Sequence, residues 1–279
     1  MTSVDSGVLP ALDSEYPLDP AEVAAYQRDG HVLLRGVATA EEVGVFRGLI
    51  ADYVTRHNKQ KTPLAERDTY HKAFLQLANL WENDPAVARF TMARRFARVA
   101  AELMGVPGVR LYHDQALFKE PGGGPTPWHQ DQYYWPLDTR HTITMWMPLV
   151  DVSEDMGPIL FASGSHRDGP MCSLAISDES ENLIRDVVER NHLPIAQSAL
   201  RAGDATFHSG WTVHAAPENK TGRMREVMTI IYYADGTRLL EPDNPHRPAD
   251  LARWFPGQRP GEFAAGTLTP LLYHRDLAP

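Results

Sequence analysis

The sequence holds a single cysteine, Cys172, among 279 residues. An intramolecular disulfide is therefore impossible, a thiolate metal cluster is argued against, and with no motif around it Cys172 reads as a small core residue. Any bound metal must be held by nitrogen and oxygen. Long apolar runs are also missing, and no stretch approaches the roughly 20 residues that span a bilayer. The opening "MTSVDSGVLPALDSEYPLDP" has neither a basic start nor an apolar h-region, so a cytoplasmic protein is expected. Positive charge is scarce, with 27 basic against 36 acidic residues and a formal net charge of -9. With no basic run or basic amphipathic helix, neither nucleic acid nor membrane is an expected partner. Internal repeats and low-complexity tracts are absent, which argues against solenoids and propellers. No phosphate-binding loop follows a strand, because "EPGGGPTP" is broken by prolines and opens no helix.

What is present is an ordinary globular composition, 43% hydrophobic and 23% charged, long enough for one large domain or two modest ones. Residues 1–17 read as an irregular leader. In "DPAEVAAYQRDG" an Asp N-cap, a Pro at the first helical position and a closing Gly30 predict a helix, and "HVLLRG" predicts a strand. Thr39 and Glu42 stand at capping-box spacing before Val43, Phe46, Ile50 and Tyr53, a second helix. The run from Asp84 to Gly105 predicts a third, continuous helix, on which Arg94, Arg95 and Arg98 read as a solvated face. From Val109 the period becomes strand-like in "VRLYHDQALFKEP", "TITMWMPLV", "ILFASGS", "ATFHSGWTVHAA" and "REVMTIIYYA". A polar helical insert near residues 178–192 interrupts the series and is a candidate lid. The expected architecture is mainly β with flanking α, a curled antiparallel barrel or jelly roll behind an N-terminal helical layer. Residues 18–279 would form a single domain, with 18–108 mainly helical, 109–236 the barrel core and 237–279 a Pro- and Gly-rich tail wrapping it.

The stretch "WHQDQYYW" carries the chemistry. If it is a strand, His129 and Asp131 share one face and Gln130 points the other way. Such a pair is either two metal ligands or polar decoration, and two ligands rarely suffice. The chain has 12 histidines, so a third ligand needs independent grounds. His214 lies near the end of a predicted strand, and eleven residues later Arg225 opens an apolar one. A guanidinium entering a buried strand needs an anion, and its fork matches a carboxylate. Two histidines and one carboxylate are the set used for ferrous iron in oxygenases. His208 is a rival to His214, His166 suits a turn, and His113 either reaches the pocket or is structural. Trp128, Tyr133, Tyr134 and Trp135 either wall a substrate pocket or fill a core, with Gln132 and Tyr133 the candidates for substrate contact.

Together "LFKEPGGGPTPWHQDQYYW", "MWMPLVDVSEDMGPILFASGSHRDG" and "RAGDATFHSGWTVHAAPENKTGRMR" resemble the phytanoyl-CoA dioxygenase-like family of non-haem Fe(II)/2-oxoglutarate oxygenases. The resemblance, running from "YQRDGHVLLRGV" to "PLLY", covers most of the chain. It implies a double-stranded β-helix of the cupin type, with Fe(II), 2-oxoglutarate and O2 as cofactor and cosubstrates. It implies His129, Asp131 and His214 as iron ligands and Arg225 as partner of the distal carboxylate of 2-oxoglutarate. Gln115, Trp146 and Lys72 match positions lining the cosubstrate pocket, and no catalytic residue is implied beyond the iron centre. Halogenating relatives carry a small residue where this chain has Asp131, so hydroxylation of a small molecule is the implied outcome. The same iron could also perform ring closure, epimerisation or desaturation. Absence of a basic cradle for coenzyme A favours a natural-product tailoring step. The readings from other classes are a zinc hydrolase or isomerase on the same ligands, and a silent binding barrel.

Overall fold

The computed structural model describes residues 9–277, so residues 1–8 of the expected leader lie outside the described residues. Leader residues 9–17 contain no helix or strand, yet they are anchored. Leu12 is buried in the main core, and the Tyr16 hydroxyl donates to the Arg35 carbonyl at 3.1 Å. Helix α1 (Pro20–Asp29) has the expected Asp19 N-cap, which Glu22 completes as a capping box, and ends at Gly30 in the left-handed region, φ 78°. A Cβ at Gly30 would lie 2.3 Å from the His166 ring, so both conformation and space require glycine. Strand β1 (His31–Leu34) follows, and α2 (Ala40–His57) starts from the Thr39 and Glu42 capping box.

Short α3 (Thr69–Ala73) and β2 (Leu75–Ala78) precede α4 (Pro85–Thr91) and α5 (Arg94–Met104). The expected continuous helix is thus two helices. Ala93 between them is extended, φ -56° and ψ 120°, and the Thr91 hydroxyl donates to buried Asp114 at 2.7 Å instead of continuing a helical surface. Phe90 joins the layer together, its ring centroid 5.2 Å from those of both Phe46 and Phe96.

The remaining chain forms β3 (Gly108–Phe118), β4 (Thr126–His129), β5 (Leu137–Asp138), β6 (Thr142–Pro148), β7 (Leu160–Ala162), α6 (Asp178–Arg190), β8 (Ile195–Gln197), β9 (Ala205–Ser209), β10 (His214–Ala216), β11 (Val227–Ala234), β12 (Arg238–Leu239), α7 (Arg247–Trp254) and β13 (Leu271–His274). A seven-stranded sheet runs β1-β9-β6-β11-β3-β13 with β2 also on β3, and a four-stranded sheet runs β4-β10-β7-β8. All their pairings are antiparallel. "ATFHSGWTVHAA", expected as one strand, is two: β9 in the large sheet and β10 in the small one, with the turn at Gly210 between them. The tail contributes edge strand β13 and helix α7.

β11 is apolar on both faces, as a covered central strand should be. Met228, Ile230 and Tyr232 join the main core beneath the helices, while Ile231 and Tyr233 join a cluster on the opposite side. That opposite face, shared with the small sheet, encloses a cavity. Among the described residues, no helix is long and apolar enough to cross a membrane.

The arginines of α5 are not a solvated face. Arg94 lies over the Tyr273 ring at 5.0 Å, and Arg98 pairs with Glu102 at 2.6 Å and with Glu15. Arg95 is buried, and its guanidinium grips both Glu42 oxygens at 2.8 and 2.9 Å while donating to the carbonyls of Ser14 and Val37. It fastens the leader and the start of α2 to α5. Removing one partner of a buried pair strands the other charge, so Arg95→Ala is expected to lower unfolding free energy by about 3–5 kcal/mol in urea denaturation. A loss under about 1 kcal/mol would place this pair with ordinary surface bridges.

Candidate metal centre and cavity

The small sheet supplies two histidines in register. His129 at the end of β4 is paired directly with His214 at the start of β10, and their ring centroids are 4.1 Å apart. Asp131 arrives differently from the strand-parity expectation. β4 ends at His129, and Asp131 opens a tight 3-10 turn, Asp131–Tyr133. Gln130 between them is a buried clamp, donating to the carbonyls of Gly169 (2.9 Å) and Trp211 (2.7 Å) and accepting from the Met171 amide (2.8 Å). This clamp, rather than strand alternation, turns Asp131 back toward the histidines.

One ring nitrogen from each histidine and one Asp131 oxygen lie within 4.8 Å of one another. Asp131 Oδ1 is 3.4 Å from His129 Nε2 and 3.7 Å from His214 Nε2. Each Nδ1 faces a backbone carbonyl, Pro127 at 2.8 Å and Thr212 at 3.0 Å. As N–H donors to those carbonyls, the Nδ1 atoms leave both Nε2 lone pairs unprotonated and aimed at the carboxylate. Two lone pairs and an anionic oxygen converging on one point suit a divalent cation. Bonds of about 2 Å would set neighbouring donors roughly 3 Å apart, so this spacing closes onto an ion with small movements.

The other carboxylate oxygen, Oδ2, is occupied from the large sheet. Thr144 donates to it at 3.2 Å and His208 Nε2 lies 3.5 Å away. His208 therefore faces the back of Asp131 and is not part of the converging set. Burial alone would push the Asp131 carboxyl up, but His214, His129 and His208 together pull it well below the usual carboxylate range. Burial, reinforced by His129, holds His214 well below the usual imidazole value. His166 is half-buried at a turn, its Nδ1 without a hydrogen-bond partner.

The adjoining cavity measures about 510 Å³, within the range of small-molecule sites. Cross-strand register builds its wall, since Gln115, Thr229 and Trp146 are direct neighbours on β3, β11 and β6. One row further, His113, Ile231, Thr144 and His208 are aligned in the same way. All these side chains line the cavity.

Arg225, just before β11, is buried and also lines it. Its Nη1 donates to the Gly157 carbonyl at 2.5 Å and its guanidinium lies over the Trp146 ring at 5.5 Å. Gly157 has φ 71°, and a Cβ there would be 2.5 Å from the Pro217 carbonyl, so glycine is needed to bring this acceptor to Arg225. Among the described residues no carboxylate is within ion-pair distance of Arg225. Its Nε has no partner, and burial pulls its pKa down to about 9. A buried cation open to the cavity and lacking a protein anion fits an anionic ligand group.

Other expected residues fall elsewhere. Lys72, Gln132 and Tyr133 do not line the cavity. The Lys72 carbonyl accepts from the Gly124 amide, and Gln132 is buried, accepting from Thr142 at 2.6 Å. Tyr133 lies on the 3-10 turn, while Tyr134 and Trp135 line the cavity and Trp128 packs under α6. The helical insert itself lies against the small sheet, and the residues just before it, Ala175 and Ile176, reach the cavity. Sequence reasoning passed over a polar chain along the wall. Tyr70 donates to Gln76 (2.6 Å), Gln76 donates to Gln115 (2.7 Å), and Gln115 lies 3.2 Å from His113 Nδ1. It also passed over Lys119, fully buried, whose Nζ donates to the carbonyls of Gly124 and Pro217. Lys119 thereby ties the loop entering β4 to the segment leaving β10; its place beside the Gly-rich run was the only available signal.

The family model described as phytanoyl-CoA dioxygenase matches residues 26–227. An ectoine dioxygenase from Sphingopyxis alaskensis is 22% identical over 92% of this chain and 89% of its own length. Among solved structures, the 2-oxoglutarate-dependent epimerase SnoN of nogalamycin biosynthesis has a TM-score of 0.73 and 27% identity, covering 92% of this chain and all of SnoN. SnoN has also been crystallised with iron, 2-oxoglutarate and a nogalamycin. The carbocyclase SnoK of the same biosynthesis shares the fold with a TM-score of 0.76 at 24% identity, over 91% of this chain and 96% of SnoK. With the donor set and the unpaired guanidinium, these matches set aside the zinc hydrolase and the silent barrel. The chain belongs to the phytanoyl-CoA dioxygenase family and is a non-haem iron, 2-oxoglutarate-dependent dioxygenase.

Proposed function

We propose that His129, Asp131 and His214 hold the ferrous ion, that Arg225 receives the distal carboxylate of 2-oxoglutarate, and that the enzyme hydroxylates a small natural product. The observation that carries this reading is the pairing of the converging donor set with a buried, anion-free guanidinium on one cavity. Gln115 and Trp146, in register beside Thr229, support a cosubstrate pocket between Arg225 and the metal. Lys72 has no part in that pocket in this reading. We further propose that the two sheets form the double-stranded β-helix and that residues 18–279 act as one catalytic unit.

With dioxygen, the iron and 2-oxoglutarate supply the oxidising power needed to break an unactivated C–H bond, leaving succinate and CO2. The chain's own part is positional. Thr144 holds Oδ2, with the His208 ring beside it, so Asp131 offers Oδ1. The backbone carbonyls of Pro127 and Thr212 fix the imidazole tautomers. Asp131 fills the position that halogenating relatives leave open, which favours hydroxylation over halogenation. Epimerisation is the second reading, favoured by similarity to the epimerase SnoN over nearly the whole chain.

Iron-loaded protein is expected to convert 2-oxoglutarate to succinate slowly under oxygen without any other substrate, and His129→Ala should reduce that rate by roughly 100-fold or more. Undiminished succinate formation in the variant would remove His129 from the centre. Arg225→Ala should weaken 2-oxoglutarate binding about 100-fold and change iron affinity little, as measured by separate anaerobic titrations. Equal losses of both, or neither, would show that Arg225 serves some other end.

A further inference from the structure

Beyond the metal donors and Arg225, the cavity lining has chemistry of its own. Helix α7 contributes Asp250 and Trp254 to it, with His246 at the helix start. Asp250 and Trp254, four residues apart, share a helix face. Tyr112 donates to Asp250 Oδ2 at 2.6 Å, which leaves the carboxylate further acceptor capacity. His113 stacks on Trp254 with centroids 4.8 Å apart and the Arg253 guanidinium lies over the same ring at 4.5 Å, while the cavity lining also includes the aromatic side chains of Tyr70, Phe74 and Tyr134.

Charge accounting isolates Asp250. Among the described cavity-lining residues the only carboxylates are Asp131 and Asp250. A doubly charged iron and Arg225 together balance Asp131 and the two carboxylates of 2-oxoglutarate. Among the described cavity-lining residues, Asp250 is then left with the His246 imidazole as its basic neighbour. The arginines nearest to it on α7 are committed elsewhere, Arg247 to Asp243 at 2.6 Å and Arg253 to Glu82 at 2.6 Å. Among the described residues no lysine or arginine is within ion-pair distance of Asp250. Burial pushes its carboxyl above the usual range, a cost that a cationic ligand would offset. A carboxylate with no lysine or arginine beside it, on a cavity lined by aromatic side chains, is the chemistry that recognises an organic ammonium ion.

We infer that the substrate carries a protonated amine, which pairs with Asp250 within this aromatic lining while the C–H bond to be oxidised points to the iron. This rests on the oxygenase reading above and adds the substrate's charge and its direction in the cavity.

The test uses the protein loaded with Fe(II) and 2-oxoglutarate, without oxygen, titrated calorimetrically with 2-phenylethylammonium and with neutral 2-phenylethanol. The ammonium should bind roughly tenfold more tightly than the alcohol. In Asp250→Asn, which keeps the size and the acceptor for Tyr112, that preference should vanish while 2-oxoglutarate affinity is retained. Equal binding of the two probes, no binding of the ammonium, or a preference that survives Asp250→Asn would overturn the inference. The wild-type comparison needs no variant, and Asp250→Ser repeats the second arm should the asparagine variant not fold. Binding of 2-oxoglutarate, measured first, separates the two claims: its absence counts against the oxygenase site, whereas its presence without ammonium preference sinks only the substrate inference.

Discussion

Two imidazole lone pairs and a carboxylate oxygen are brought together around Asp131 Oδ1 at 3.4 and 3.7 Å. Without a cation this arrangement opposes itself, since unprotonated nitrogens and an anion gain nothing from mutual approach. The fold has to impose it. Register between β4 and β10 fixes the two histidines, the Gln130 clamp turns the chain, and Thr144 holds the spare oxygen. Lys119 braces the loops behind both ligand-bearing strands. Much of the local architecture can be understood as the means of holding three donors where only a metal makes the arrangement favourable.

The same layout divides the cavity by the kind of element that builds each part. On adjacent strands of the large sheet, register sets the cavity-lining side chains of Gln115, Thr229 and Trp146 side by side. Other parts of the lining come from α3, the segment before α6, and α7. Strands backed by a helical layer hold positions tightly, whereas loop and tail elements can vary without disturbing the sheets. The two histidine donors thus lie at the ends of sheet strands, whereas α3, the segment before α6 and α7 are peripheral to the sheets.

Much of the fold was legible because local signals were strong. The Asp19 N-cap, the Thr39 capping box and the apolar run of β11 each specify one local outcome. The failures have physical causes. No proline or charged residue interrupts Ser209–Val213, which hides the crossing of the chain from one sheet to the other. That crossing is why His208 and His214 approach Asp131 from opposite sides. His129 and Asp131 do meet, but through a turn held by Gln130, whose side-chain partners at Gly169 and Trp211 are distant in sequence. Arg95 looked solvated because its partners, Glu42 and Ser14, are brought to it only by folding. Asp250 lay in a Pro-rich tail whose local pattern gives no hint that its helix reaches the cavity.

The most direct test of the central claim is an anaerobic absorption titration of the Fe(II)-loaded protein with 2-oxoglutarate. Chelation of the metal by the keto acid predicts a weak visible charge-transfer band that grows to saturation at one equivalent per chain. Iron bound in full with no such band at any 2-oxoglutarate concentration would contradict the account.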